Sequence, residues 1–260
     1  PVIDLLAITT VFGNATIENG TRNALWLKQK YGMKAEVAQG AAAPLLREPV
    51  GPTTVVHGPS GLGDVEAGEV TLTPDPRPAW QYIVETLKAN PGEITLVTIG
   101  PITNLALALE AAPEITALVK QVVVMGGAFG VNGHRGNVTP YAEANIHDDP
   151  EAADRVFTAP WPVVIIGLDV TQQSFFSSAY LDALRDDAGE PGRFLWAVSR
   201  FYLRFYSERI GLNGCHVHDP SAIAYVIDPE LFTLREGPVR VIDHGPAIGH
   251  TLQKFDGKSH

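Results

Sequence analysis

Residues 93–113, EITLVTIGPITNLALALEAAP, contain the pattern that decides the fold. The first eight residues form an apolar run with β-branched side chains, which is typical of a buried strand. Pro101 fits the first turn of a helix, and Leu105 and Leu109 lie four positions apart, on one helical face. The segment therefore predicts a strand, a short loop and a helix in succession.

The same alternation recurs along the chain. Further strands are predicted at 2–11, 121–127 and 161–170, helical segments at 15–32, 149–159 and 178–208, and a β-rich portion from Pro238. Gly32 suits a helix C-cap. Continuous apolar strands alternating with helices predict an α/β fold with a mainly parallel central sheet and helices on both faces. Because no linker-like stretch divides the 260 residues, we expect a single domain.

The composition excludes several classes of partner. Hydrophobic residues make up 45% of the chain, enough for a large core, and the net charge of −10 disfavours binding to nucleic acid or to an anionic membrane. No apolar stretch approaches the roughly 18 residues that cross a bilayer. The first residues lack the basic start and cleavage site of a secretion signal, so we expect none. A single cysteine, Cys215, rules out an internal disulfide and fits a reducing compartment, so we expect a cytoplasmic protein.

Several polar groups follow the ends of the predicted strands. In a parallel sheet, ligands bind outside the carboxyl ends of the strands. Asn14, Ile99, Asp169 and the segment 137–145 all come directly after apolar runs, so we expect them at one edge of the sheet. Asn14 is also explained as an ordinary turn or capping residue.

Glu143 and Asn145 lie two positions apart in the segment TPYAEANIHDDP, residues 139–150. Alternate residues of an extended segment face the same way, so the two side chains are expected to converge, with Asn137 close by. A carboxylate and two carboxamides offer both acceptors and donors, which suits a polyhydroxylated ligand such as a sugar. The alternative is that each is a polar loop residue.

His218 and Asp219 form a second candidate. Asp219, followed by Pro220 and an apolar run, is typical of a helix N-cap, and this explains it without any ligand. A carboxylate at that place can also bind a hard cation, and His218 beside it could donate a proton. Zinc bound through Cys215 and the neighbouring histidines is a weaker alternative, because the spacing matches no structural zinc pattern.

The chain closely resembles the inosine-uridine preferring nucleoside hydrolase family. The resemblance runs in order through LLAITTVFGN, HGPSGLG, ITLVTIGPITNLALAL, VVVMGGAFG, NVTPYAEANIHDDPEAADRVF, PVVIIGLDVTQQ and VHDPSAIAYVIDP. It implies a Rossmann-like α/β fold and hydrolysis of the N-glycosidic bond of ribonucleosides to ribose and free base, through an oxocarbenium-like transition state. It also implies a small-molecule ribonucleoside substrate and a homotetramer or homodimer.

The resemblance assigns roles to particular residues. Ribose hydroxyls would be held by Asn14, Asn137, Glu143 and Asn145. The Asp219 carboxylate and the main-chain carbonyl of Ile99 would bind Ca²⁺, and His218 would lie near the sugar and assist the departing base. Tyr202 and Tyr206 would line the base side, although a helix face packed in the core explains them equally well.

The resemblance further implies an aspartate-rich segment that supplies most calcium ligands and the water-activating aspartate. No such segment occurs in the sequence, so we expect residues 1–260 to be a nucleoside hydrolase-like domain that is incomplete at its N-terminus and its C-terminus. Two rivals stay open. One is a catalytically inactive ribose- or nucleoside-binding protein of the same fold, and the other is a doubly wound hydrolase or binding module of a different family.

Overall fold

A computed structural model describes residues 3–254 of the protein. The strands are β1 (Ala7–Thr9), β2 (Glu36–Ala38), β3 (Thr95–Thr98), β4 (Gln121–Met125), β5 (Val163–Ile166), β6 (Phe175–Ser177), β7 (Gly214–His216), β8 (Val239–Val241) and β9 (Thr251–Gln253). The helices are α1 (Ile17–Tyr31), α2 (Thr54–His57), α3 (Ala79–Ala89), α4 (Thr103–Ala111), α5 (Ala144–Asp148), α6 (Pro150–Thr158), α7 (Leu168–Thr171), α8 (Ser178–Asp187), α9 (Gly189–Ile210) and α10 (Asp219–Ile227).

The central strands are parallel. β3, β4 and β5 pair in that order, with Val97 opposite Val123 and Val123 opposite Val164. β1 and β2 form a second parallel pair, whereas β6–β7 and β8–β9 are antiparallel. Helices connect the parallel strands, as the crossover connection of such strands requires. The predicted α/β fold with a parallel central sheet is confirmed.

Helices cover both faces of the central sheet. Successive side chains of a strand face opposite sides, so β4 divides its buried residues between two clusters. Val122 and Val124 pack with residues of α3, α4 and α6, including Leu87 and Leu105. Val123 and Met125 pack on the other face with residues that include Ile166, Leu168 and Tyr225. A strand buried on both faces has to be apolar throughout, which explains the continuous run in β4.

All four predicted strands are shorter in the described residues than their apolar runs, and two of them differ most. Strand pairing at the start of the chain is limited to β1, and Leu5 and Leu6 are about half exposed, at 49% and 44%. Residue 2, where this prediction began, lies outside the described residues. In the run 161–170, β5 ends at Ile166, and α7 begins at Leu168. Leu168 is fully buried there, so apolarity continues through the change of structure and does not reveal it.

The start of α10 differs from the prediction. Asp219 is the first residue of the helix, His218 occupies the N-cap, and the Asp219 side chain makes no capping hydrogen bond. The N-cap prediction for Asp219 is therefore wrong. His218 already has right-handed helical φ and ψ of −75° and −62°, so the backbone becomes helical one residue before Asp219.

The predicted C-cap Gly32 is confirmed: its φ of 59° lies in the left-handed region, where glycine is favoured.

No helix within residues 3–254 combines the length and the apolarity needed to cross a bilayer.

Candidate active site

Glu143 lies at the carboxyl end of β4 and caps α5. Its Oε1 accepts a hydrogen bond from Asn145 N at 3.0 Å, and its Oε2 accepts from Ile146 N at 3.2 Å and Gly127 N at 3.0 Å. Burial raises the pKa of the Glu143 carboxyl to about 7, against the lowering effect of the three N–H donors. Glu143 therefore holds the loop that leaves β4 against the start of α5.

Asn145 is fixed to the same strand end. Its Nδ2 donates to the Met125 carbonyl at 3.0 Å, and no described residue donates to its Oδ1. Asn137 is exposed, and its Oδ1 accepts from Ala144 N at 3.0 Å. The structure thus brings Asn137, Glu143 and Asn145 together at one end of the sheet. The predicted extended conformation is wrong, because Glu143 is the N-cap of α5 and Asn145 lies in its first turn. Much of their hydrogen bonding is local, as the polar-loop alternative predicted, but the Asn145 Oδ1 stays available to a ligand.

Asn14 follows β1 at the same edge. Its side chain is exposed and makes no hydrogen bond with the described residues. The adjacent Gly13 packs so closely that a Cβ there would lie 3.1 Å from Pro101 Cδ and 3.7 Å from Asp148 Oδ2. The segments after β1 and β3 therefore meet the end of α5. Ile99, which leaves β3, is 47% exposed, and no described residue donates a hydrogen bond to its carbonyl.

Asp219 is a largely buried carboxylate without a hydrogen bond to any described residue. Burial raises the pKa of Asp219 to about 6. The negative charge of Asp219 also contributes to the raised pKa of Glu143, so the two carboxylates are electrostatic neighbours. Burying an ionised acid without a hydrogen-bond donor is energetically unfavourable unless a group outside the described residues binds it.

His218 lies between two hydroxyl groups. Its Nδ1 is 2.7 Å from Thr171 Oγ1, and its Nε2 is 3.4 Å from the hydroxyl of Tyr206. Burial, assisted by the charge of His216, lowers the pKa of His218 to about 4. The imidazole is therefore neutral at neutral pH, with one N–H and one acceptor nitrogen.

Aromatic rings continue from His218 into α9. The hydroxyls of Tyr202 and Tyr206 are 3.2 Å apart, and Tyr202 stacks on His57 with ring centroids 5.7 Å apart. Burial lowers the pKa of His57 to about 4 and raises the pKa of Tyr202. The two tyrosines therefore pack in the core and also approach His218. The contacts are compatible with core packing and with a place beside the candidate site.

Two oxygen groups at this edge have the chemistry that calcium prefers. The Asp219 carboxylate and the Ile99 carbonyl are both hard donors, and neither has a protein partner among the described residues. Calcium takes six to eight oxygen ligands, so two donors form part of a site. Within residues 3–254, no three His, Cys, Asp or Glu side chains converge in a group that could hold a metal ion.

Three residues at or near the site have no role in the sequence interpretation. Thr171 is fully buried and bonds to His218, His57 stacks on Tyr202, and Asp148 is a half-buried acid without a hydrogen bond to the described residues. The signal for Thr171 was its place directly after an apolar strand, in GLDVTQQ.

Asp169, which was expected at this edge of the sheet, binds the loop after β4. Its carboxylate accepts hydrogen bonds from Phe129 N at 2.8 Å and Val131 N at 2.6 Å.

Comparisons with known proteins define the class to which this fold and site belong. The sequence model of the inosine-uridine preferring nucleoside hydrolase family matches residues 1–260. A probable uridine nucleosidase 1 of Oryza sativa subsp. japonica is 39% identical over 253 residues, which cover 97% of this chain and 77% of the relative. The non-specific ribonucleoside hydrolase RihC of Escherichia coli is 41% identical over 258 residues, covering 99% and 82%.

Solved structures agree with the sequence relatives. A plant nucleoside hydrolase is 36% identical and superimposes with a TM-score of 0.94, covering 98% of this chain and 80% of that chain. The chain therefore belongs to the inosine-uridine preferring nucleoside hydrolase family, and it is a hydrolase of ribonucleosides.

Proposed function

We propose that the protein hydrolyses the N-glycosidic bond of purine or pyrimidine ribonucleosides with the assistance of Ca²⁺, releasing ribose and the free base. The observation that carries this proposal is the Asp219 carboxylate. It is largely buried near Glu143 at the carboxyl end of the sheet, and no described residue donates a hydrogen bond to it. A divalent cation would neutralise this acid and explain its burial.

Asp219 and the Ile99 carbonyl would hold the ion within this chain. When bound, calcium supplies a positive charge that orients sugar hydroxyls and lowers the pKa of a bound water. Six to eight ligands are needed in all, so water, the sugar and other parts of the protein would complete the set.

On the sugar side, the polar groups after β4 and β1 would orient the ribose. Asn145 offers its Oδ1 to a hydroxyl donor, and Asn137 and Asn14 offer exposed carboxamides. Glu143 lies among them with its oxygens anchored by backbone N–H groups, so the sugar would meet a rigid carboxylate. Such fixed positioning can supply several kcal/mol of the barrier reduction.

On the base side, His218 would assist the leaving group. A neutral imidazole can donate one hydrogen bond to a nitrogen or oxygen of the departing base, where negative charge builds up as the bond to ribose breaks. Tyr206 and Tyr202 lie next to His218 and would close this side of the site.

The test uses the full-length protein with CaCl₂ and measures free base and ribose released from inosine and from uridine. Asp219→Asn should lose activity by about 10²-fold or more, because it removes a ligand charge at the reacting sugar. Asp187→Asn is the matched control, since Asp187 is an exposed acid on α8 that makes no hydrogen bond with the described residues.

A folded wild-type protein that binds calcium and inosine but releases no base would contradict the proposal. That result would favour the inactive nucleoside-binding protein. Equal activities of Asp219→Asn and Asp187→Asn would contradict the assignment of Asp219.

We also propose a cytoplasmic location and a homotetramer or homodimer. The single cysteine and the family resemblance support these two proposals. Light scattering coupled to size-exclusion chromatography would test the second, and a monomer across the micromolar range would contradict it.

A further inference from the structure

We propose that Thr171 is a positioning residue that holds His218 in the tautomer with its proton on Nε2. This inference rests on the proposed function only where it concerns the departing base. The tautomer itself follows from the hydrogen bonds of the protein.

The hydroxyl of Thr171 lies in the protein interior. Thr171 is fully buried, and His218 Nδ1, 2.7 Å away, is the partner of its hydroxyl within residues 3–254. A buried hydroxyl that only accepted a hydrogen bond would leave its own proton without a partner, which folded proteins avoid. Thr171 therefore donates, and Nδ1 of His218 accepts.

The ring nitrogen on the other side follows from this. A neutral imidazole carries one N–H, so an accepting Nδ1 leaves the proton on Nε2. Nε2 is 3.4 Å from the Tyr206 hydroxyl, a longer contact than the one to Thr171, and Tyr206 has Tyr202 as a second partner at 3.2 Å. The short contact to Thr171 therefore decides the tautomer.

The consequence for the reaction is a fixed donor. With the proton on Nε2, His218 can donate a hydrogen bond to a base leaving the ribose without first taking up a proton. In the opposite tautomer, Nε2 would carry a lone pair, which repels the negative charge that develops on the departing base. Thr171 itself lies on α7 directly after β5, so the central sheet sets its position.

The first measurement is the tautomer, in full-length protein without substrate. Long-range ¹H–¹⁵N NMR of the histidine rings distinguishes the two neutral tautomers, and the spectrum of His218→Gln assigns the His218 signals. Wild type should show a protonated Nε2 and an unprotonated Nδ1. Thr171→Val should show a mixture or the opposite tautomer, and Thr171→Ser should restore the wild-type pattern. A protonated Nδ1 in the wild type would overturn the inference.

The second measurement is the dependence on the leaving group. With inosine, Thr171→Val should lower kcat by roughly 10²-fold, the low end of what positioned acid–base groups contribute. With 4-nitrophenyl β-D-ribofuranoside, whose leaving group needs no proton, the loss should shrink to a few-fold. Thr171→Ser should recover most of the activity on inosine.

A matched control separates positioning from structural damage. Thr21→Val also removes a buried threonine hydroxyl, which bonds to the Thr10 hydroxyl at 2.8 Å. Thr21 is far from His218 in the sequence and makes no hydrogen bond with it. Thr21→Val should affect both substrates equally. Equal losses on both substrates for Thr171→Val would overturn the inference, whereas an inactive wild type with the expected NMR pattern would contradict only the proposed function.

Discussion

Two adjacent acids at the end of α5 have opposite environments. The Asp149 carboxylate is fully buried and accepts hydrogen bonds from Thr103 Oγ1 at 2.6 Å, Leu45 N at 3.0 Å and Ala152 N at 3.0 Å. Asp148 has no hydrogen bond to the described residues, and burial, together with the charge of Asp149, raises its pKa to about 6. The ionised form of Asp148 therefore opposes folding, while Asp149 stabilises the start of α6.

We expect Asp148→Asn to stabilise the full-length protein at pH 7. A pKa raised from 3.8 to about 6 corresponds to about 3 kcal/mol at full value, and partial solvent screening reduces the expected gain to about 1–2 kcal/mol. Below the ordinary pKa of 3.8, Asp148 is protonated in both the folded and the unfolded protein. The difference in stability between the variant and the wild type should therefore appear between pH 4 and pH 6 and stay constant above. Urea unfolding across this range measures it.

Asp149→Asn is the counterpart. An asparagine there keeps one acceptor oxygen, but its NH2 group replaces the other oxygen and faces groups that donate hydrogen bonds. We therefore expect the free energy of unfolding to fall by about 2–3 kcal/mol at pH 7. The two neighbouring variants should thus have opposite signs. A destabilised Asp148→Asn would show that its carboxylate has a partner in the full-length protein.

The residue scale also shows what the sequence could and could not predict. The types of Glu143 and Asn145 indicated a pair of polar groups, but the extended conformation predicted for this segment is wrong, because α5 begins at Ala144 and contains Asn145. Their anchoring by Gly127 N and the Met125 carbonyl was not predictable, because those partners are backbone groups 16 and 20 residues away along the chain. The same holds for Thr171 and His218, which are 47 positions apart.

At the scale of elements, α7 organises both sides of the site. Asp169 in α7 bonds to the backbone of the loop after β4, and Thr171 at its end bonds to His218. Beyond the helix end, Gln172 Oε1 meets His134 Nδ1 at 2.6 Å, a further tie to the same loop. This loop leads to Asn137 and Glu143, so one short helix connects the proposed sugar side with the proposed base side.

We expect Asp169→Asn to loosen this loop while the sheet stays intact. Two hydrogen bonds from backbone N–H groups to a charged acceptor are weakened, which costs about 1–3 kcal/mol of stability. Hydrogen–deuterium exchange should accelerate at Phe129 and Val131 but not in β4, and KM for the nucleoside should rise. Asp228→Asn, which affects the capping of an exposed turn at Glu230, is the control. Unchanged protection of residues 129–131 would contradict the role of Asp169.

Apolar periodicity predicted which elements exist better than where they end. The run in 161–170 gave no sign of the change from β5 to α7, because the sheet and the helix bury the same kinds of side chain. Asp219 and Pro220 carried the usual signature of a helix start, yet the backbone becomes helical at His218. Both differences lie at the candidate site, where departures from local sequence rules are common.

At the scale of the whole molecule, the core and the site make separate contributions to stability. The large cluster on one face of the sheet joins α3, α4 and α6, and Asp154 of α6 binds Arg240 of β8 through both carboxylate oxygens at 2.8 Å. None of these groups lies among the proposed ligands. Removal of a metal should therefore leave the fold intact and lower its stability only by the lost binding free energy.

Calcium should raise the free energy of unfolding of the full-length protein through this linkage. A ligand that binds only the folded state at 100 times its dissociation constant adds about 2.7 kcal/mol, and EDTA should remove the gain. Asp219→Asn should abolish most of the calcium-dependent shift in Tm, whereas Asp187→Asn should keep it. Without calcium, Asp219→Asn should be at least as stable as wild type, because burial raises the pKa of Asp219 to about 6 and its charge opposes folding at pH 7. A variant with lower Tm in EDTA and an unchanged response to calcium would show that Asp219 is structural and that the ion binds elsewhere.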